Sequence, residues 1–245
     1  MFVHILFFLF ILSSFEAIAS CPQFHQYETV NVKKVIDGDT VLLMDGRSIR
    51  FVGVDTPELY KKGRLAPEPG ASAARRWLRN KIPDKSQMKL VFAAERRDDY
   101  GRLLAHPLTD GGQLLVKNML AAGLGELLLI PPNHGYWPCL LLAEQAARQQ
   151  RLGIWSQGVP ATPKRTGWQR LLIRVNDVRV YRGGVVLLAE GGLRVRAGKR
   201  LAAASRRELG RLQAGDWLFV RGYVRKTAGE WLLWINHPWQ FYREK

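Results

Sequence analysis

Apolar and polar positions alternate in short blocks punctuated by glycine and proline, and helical spacing appears in only a few places. Residues 30–44 are rich in β-branched and apolar side chains around Ile36-Asp37-Gly38-Asp39-Thr40. Asp45-Gly46 is a hairpin-turn signal, and residues 49–54 supply a returning strand. Residues 71–81 put Ala, Trp77 and Leu78 on one side and Arg75, Arg76 and Arg79 on the other, which predicts an amphipathic helix. Residues 88–93 and 102–108 read as strands, with Pro107 marking an edge or an end. Two further helices are predicted over 114–122 and 134–152, stopped by Gly123 and Gly153. Strands, a helix, strands and more helices make a small β-barrel with packed helices.

Residues 157–167 are rich in Gly, Pro and Thr and lack an apolar period, so they read as a linker. Beyond them, strands are predicted over 171–180, 185–189 and 193–197, a basic helix over 202–212, and strands over 217–225 and 230–235. Three strands, a helix and two strands is the OB-fold order. The expected fold class is α+β to mainly β: an OB-fold barrel with packed helices over 20–156, then a second small OB-like barrel over 168–245.

Composition sharpens this picture. Hydrophobic residues are 47% and charged residues 24%, which suits a globular chain. There are 37 Lys+Arg against 21 Asp+Glu, a net charge of +16, which points to an acidic partner such as nucleic acid. From Lys164 onward the count is 18 Lys+Arg against 6 Asp+Glu, so most of the excess lies in the smaller second unit.

Residues 2–18 are nearly all apolar, broken by His4, Ser13, Ser14 and Glu16, and too short for a membrane span of about 20 residues. With Ala17-Ile18-Ala19 as a small-x-small cleavage pattern, residues 1–19 read as a signal peptide for export to a periplasmic or extracellular space. Ile18-Ala19-Ser20-Cys21 also resembles a lipobox, in which Cys21 would carry a lipid and tether the protein to a membrane. The competing use of Cys21 is a disulfide with Cys139, which an oxidising exported compartment permits. A thioether-modified sulfur has no thiol to offer, so the two exclude each other, and the disulfide is favoured.

Asp39 follows Gly38 in a turn, and Asp55-Thr56-Pro57-Glu58 stands where Pro57 ends a strand. Two aspartates and a backbone carbonyl make a hard-oxygen half-shell of the kind Ca2+ or Mg2+ uses. Arg50 lies five residues before Asp55, a spacing that puts both on one strand face only across a bulge. Arg102 closes Asp98-Asp99-Tyr100-Gly101-Arg102. Guanidinium groups and a metal can neutralise a phosphodiester while a carboxylate activates water.

Val35-Ile36-Asp37-Gly38-Asp39-Thr40, Arg50 to Glu58, Asp98 to Arg102 and the closing Leu152-Gly153-Ile154-Trp155-Ser156 occur in an order that resembles the staphylococcal nuclease (thermonuclease) family. The resemblance implies an OB-fold barrel and Ca2+-dependent cleavage of DNA and RNA to 3′-phosphate ends. It implies that Asp39 and Asp55 ligate Ca2+ with the Thr56 carbonyl, that Glu58 orients or deprotonates water, and that Arg50 and Arg102 grip the scissile phosphate. Asp98 would support its loop, and Lys61 and Lys62 could meet phosphate. The sequence departs from the family where base-stacking tyrosines are expected: it has Leu127-Leu128-Leu129-Ile130.

In the second unit Arg221, Arg225 and Lys226 alternate with Trp217, Tyr223, Trp231 and Trp234, a pattern that suits single-stranded nucleic acid. Arg221, Arg225 and Trp231 are its candidate contacts. The unit resembles the OB-like extensions of bacterial nuclease relatives. Two alternatives to an enzyme stand beside this reading: a catalytically silent nucleic-acid-binding module, and an envelope-anchored protein with a basic surface. No protein partner is implied, and a monomer is favoured.

Overall fold

Residue alternation in the first unit closes five strands on one apolar interior. The computed structural model describes residues 21–60 and 66–244; the expected signal segment and Lys61 and Lys62 lie outside the described residues. The strands are β1 (Glu28–Val35), β2 (Thr40–Leu43), β3 (Ser48–Phe51), β4 (Gln87–Arg97) and β5 (Leu103–Leu108), in barrel order β1-β2-β3-β5-β4. Helix α1 (Ala71–Lys81) joins β3 to β4 and buries Ala71, Ala74 and Leu78. Helices α2 (Leu115–Ala121) and α3 (Trp137–Gln149) follow. Val32, Val41, Ile49, Leu90 and Ala105 fill the interior with no exposed surface.

The second unit repeats the plan. Strands β6 (Gly167–Tyr181), β7 (Gly184–Ala189), β8 (Leu193–Ala197), β9 (Trp217–Thr227) and β10 (Glu230–Ile235) close in the order β6-β7-β8-β10-β9, with α4 (Ala203–Gly210) between β8 and β9. Each barrel has one parallel pair, β3 with β5 and β8 with β10. Both are therefore five-stranded OB-type barrels with a helix after the third strand. A short β11 (Phe241–Arg243), absent from the expected elements, adds to the free edge of β9.

Several boundaries moved. The strand expected to run to Val54 ends at Phe51, because Val52 and Gly53 turn the chain, with Gly53 at φ 96°. The expected linker is not a free tether. Leu172 N–H donates to the Pro160 carbonyl at 2.9 Å, and Val159 packs against the core of the first barrel.

The two barrels meet across a buried contact. Outward-facing Phe219 of β9, with Trp239 and Tyr242, joins the hydrophobic cluster of the first unit. Phe219 meets Trp155 edge-on at 6.2 Å and stacks on Tyr242 at 4.7 Å. Between them Arg221 and Glu144 form an ion pair with neither side chain exposed. This corrects one expectation: Arg221 is not a nucleic-acid contact. Alternation along β9 does point it outward, but the first unit covers that part of the strand. Cys21 and Cys139 are joined in a disulfide that ties the start of the first barrel to α3.

Candidate active site

The carboxylates gather where three chain segments leave the first barrel. The turn Asp37-Gly38-Asp39 precedes β2, and Asp39 accepts hydrogen bonds from Thr56 N–H (2.8 Å), Thr56 Oγ1 (2.9 Å) and Thr40 Oγ1 (3.0 Å). Gly38 is needed for this approach, since a Cβ there would stand 2.6 Å from Thr56 Oγ1. Arg50, near the end of β3, ion-pairs with Asp39 and donates to Asp55 Oδ1 at 2.6 Å and to the Val54 carbonyl at 3.1 Å. Arg50 and Asp55 therefore meet through the turn after β3; no bulge within a strand is involved.

Asp55 is held from behind. It exchanges two backbone hydrogen bonds with Glu126, at 2.8 and 2.9 Å. Gly125 permits this, because a Cβ there would lie 2.6 Å from the Asp55 carbonyl. The next residue, Leu127, donates its N–H to Glu144 Oε1 at 2.7 Å and accepts from Arg221 Nη1 at 2.8 Å. Arg170 of β6 reaches Glu126 at 3.2 Å. The second barrel thus grips the strap that holds Asp55. Glu126, Arg170 and Glu144 were not singled out from sequence; a lone acid amid the apolar residues of α3 was the available signal for Glu144.

Glu58 sits beside Asp37 with its carboxyl pushed up to about 7, by burial first, then by a hydrogen bond with Asp37 and the charges of Asp37, Asp39 and Asp55. Burial likewise lifts Asp55 to about 6; Arg50 opposes this, and Asp39 and Glu126 add to it. Burial, and to a lesser degree the neighbouring acids, therefore favours the protonated form of both carboxyls.

One cleft of about 390 Å³ is lined by Arg50, Asp55, Glu58 and Arg102 together, with Leu128 and Ile130 on its wall. Arg102 is braced by Asp98 at 2.7 Å and lies 5.5 Å from the Tyr100 ring centre. Asp39 and Thr56 stand directly behind, both buried. Among the second-unit candidates, Arg225 is exposed and lies over Tyr223 at 5.5 Å. Trp231 is half-buried against the second core, with Lys226 over its ring at 5.1 Å.

Comparison with known proteins agrees with this geometry. The sequence profile described as staphylococcal nuclease homologue matches residues 48–157. The chain is 32% identical over 133 residues to a thermonuclease of Staphylococcus intermedius, covering 53% of this chain and 77% of that protein. It is 34% identical over 140 residues to endonuclease YncB of Bacillus subtilis, covering 54% and 65%. A thermonuclease of Staphylococcus hyicus is 30% identical over 135 residues, covering 53% and 76%. The motifs, the barrel that carries them and these relatives together make the chain a member of the staphylococcal nuclease family.

Proposed function

We infer that the chain is a phosphodiester-hydrolysing nuclease acting on DNA, RNA or both, with a calcium ion in its active site. The single observation that carries this reading is the convergence of two arginines and the Asp55 and Glu58 carboxylates on one cleft.

The donor set fits a hard divalent cation. Among the described residues no three His, Cys, Asp or Glu converge closely enough to enclose an ion by themselves. Asp39 and Asp55 with the Thr56 carbonyl would hold it, leaving positions for water, as oxygen-ligated Ca2+ permits. The geometry supports this: Asp39 and Asp55 both reach Arg50 at one end of the barrel, and a cation there would relieve the repulsion between them. When bound, it would supply positive charge to a phosphate oxygen and to the water that attacks.

The chain's own residues do the rest. Glu58, which lines the same cleft as both arginines, takes the proton of the attacking water. Arg102, held by Asp98 in a fixed orientation, donates to the phosphate. Arg50 presents its N–H groups at the same cleft and turns at least one of them from carboxylate to phosphate. Both guanidinium groups meet the negative charge that grows on the phosphate oxygens in the transition state. Lys61 and Lys62 follow in sequence beyond Tyr60 and are proposed as outer phosphate contacts. The second barrel, with most of the charge excess, adds affinity for the polyanion.

The disulfide supports export to an oxidising compartment, with residues 1–19 as the proposed signal. The test is incubation of the purified chain with labelled single- and double-stranded DNA and RNA in calcium or in excess chelator. Cleavage in calcium alone is expected. No cleavage under any condition, or cleavage unaffected by chelator, overturns the reading.

A further inference from the structure

The outer face of the second barrel carries an aromatic row that neither the nuclease cleft nor the barrel packing uses. Trp168 of β6 is paired directly with Tyr223 of β9. The β9–β10 register that pairs Val224 with Leu233 brings Tyr223 beside Trp234 at the next step. Trp234 is in turn paired with Arg196 of β8. Directly paired residues point to the same side of a sheet, so the three rings form one line across three strands. Their neighbours Val224 and Leu233 point into the barrel and are fully buried.

The rings stand in solvent: Trp168 is 37% exposed, Trp234 41% and Tyr223 55%. Core packing does not account for that much apolar surface on three adjoining strands. Guanidinium groups flank the line. Arg225 lies over Tyr223 at 5.5 Å and Arg196 over Trp234 at 5.7 Å. The acid nearest this edge in sequence, Glu230, is already paired with Arg194 at 2.6 Å. The row is therefore aromatic along its length and cationic at its margins.

Its position also matters. Trp168 is two residues along β6 from Arg170, roughly 7 Å at strand spacing. Arg170 lines a second cleft of about 400 Å³ with Asp55, Thr56 and Glu126. The first ring of the row therefore stands two residues along one strand from a side chain that shares a cleft with Asp55.

We propose that Trp168, Tyr223 and Trp234 form a second nucleic-acid site, which stacks the unpaired bases of a single strand while Arg196 and Arg225 hold its phosphates. Stacking on exposed rings tolerates any base and needs unpaired ones, because a duplex hides its base faces. The ligand chemistry is shared by single-stranded DNA and RNA. The proposal rests on the nuclease reading and deepens it: substrate with single-stranded stretches is held beside the cleft.

The test is fluorescence anisotropy of labelled 20-residue oligothymidylate and oligouridylate with the full chain in chelator, so that no cleavage intervenes. A 20-base-pair duplex runs in parallel. Combined replacement Trp168→Ala, Tyr223→Ala and Trp234→Ala is expected to weaken single-strand binding at least about tenfold, and duplex binding much less. Trp234→Phe retains most of the affinity. Tyr181→Ala, exposed at the far end of β6 and outside the row, serves as the control for a non-specific aromatic effect. Each single alanine variant is measured too, so an unfolded triple variant leaves the question answerable. Variants that stay within twofold of the parent overturn the proposal, as does an equal loss on single strands and duplex. Stronger weakening on RNA than on DNA, or the reverse, supports the site and identifies its source. Failure of the protein to cleave anything in calcium would sink the nuclease reading while leaving this binding result standing.

Discussion

Replacing Arg221 with alanine tests the claim that the two barrels act as one structure. Arg221 and Glu144 are both fully buried, and the guanidinium also donates to Glu144 Oε1 at 2.9 Å and to the Leu127 carbonyl at 2.8 Å. Burial works against the charge on Arg221, but Glu144, with Glu126 and Tyr242, more than offsets it, so the pKa is raised and the group stays charged. Removing it leaves a carboxylate without a cation in an apolar setting, which costs about 3–5 kcal/mol. For a chain of this size that is a fall in melting temperature of roughly 10 °C. Urea unfolding followed by circular dichroism and tryptophan fluorescence measures it. The companion variant Arg221→Met with Glu144→Leu removes both charges and is expected to recover most of the loss, because the desolvation penalty goes with them. A single-variant loss below about 1 kcal/mol, or a double variant as unstable as the single, refutes the reasoning. Arg221→Ala also loosens Leu127, hence Glu126 and Asp55, so its nuclease rate is expected to fall at temperatures where it remains folded.

Three other outcomes follow from particular contacts. His106 is buried against Tyr136 at 4.9 Å, with its pKa lowered by burial from 6.5 to about 4. Its neutral form is favoured in the folded state, so stability of about 3 kcal/mol is present above pH 6.5 and lost as pH falls towards 4; His106→Leu flattens urea midpoints over that window, and an unchanged slope contradicts the assignment. Reducing the Cys21–Cys139 bond, which closes a separation of 118 residues, lowers stability by about 5 kcal/mol in the chain-entropy model, less any native-state strain; Cys139→Ser shows the same midpoint with and without reductant. Gly125→Ala drives a methyl against the Asp55 carbonyl, costing about 1–3 kcal/mol and slowing cleavage, and normal activity would show that the strap does not position Asp55.

Much of the candidate site was legible because its parts are local. Gly38 in a turn, and Pro57 keeping the chain after Asp55 out of the sheet, place Asp39, Asp55 and Glu58 where the chain leaves the barrel, whatever surrounds them. The Arg50–Asp55 contact was not legible, since it depends on β3 stopping at Phe51 and turning at Gly53. Alternation in β9 correctly separates Leu218, Val220 and Val224 from Phe219, Arg221 and Tyr223. It cannot tell which outward residues meet solvent and which meet another barrel. Arg221 fell on the covered part of that face and Tyr223 on the open part. Trp168 escaped notice because it opens β6 immediately after the linker composition, where no strand period had yet begun.

The central claim is that the cleft beside Glu58 hydrolyses phosphodiesters, and the most direct test is the cleavage rate of Glu58→Gln in saturating calcium, with circular dichroism confirming the fold. The account predicts native spectra and a rate lowered at least about 100-fold, as expected on removing a general base. A folded Glu58→Gln protein that cuts at the parent rate would contradict it.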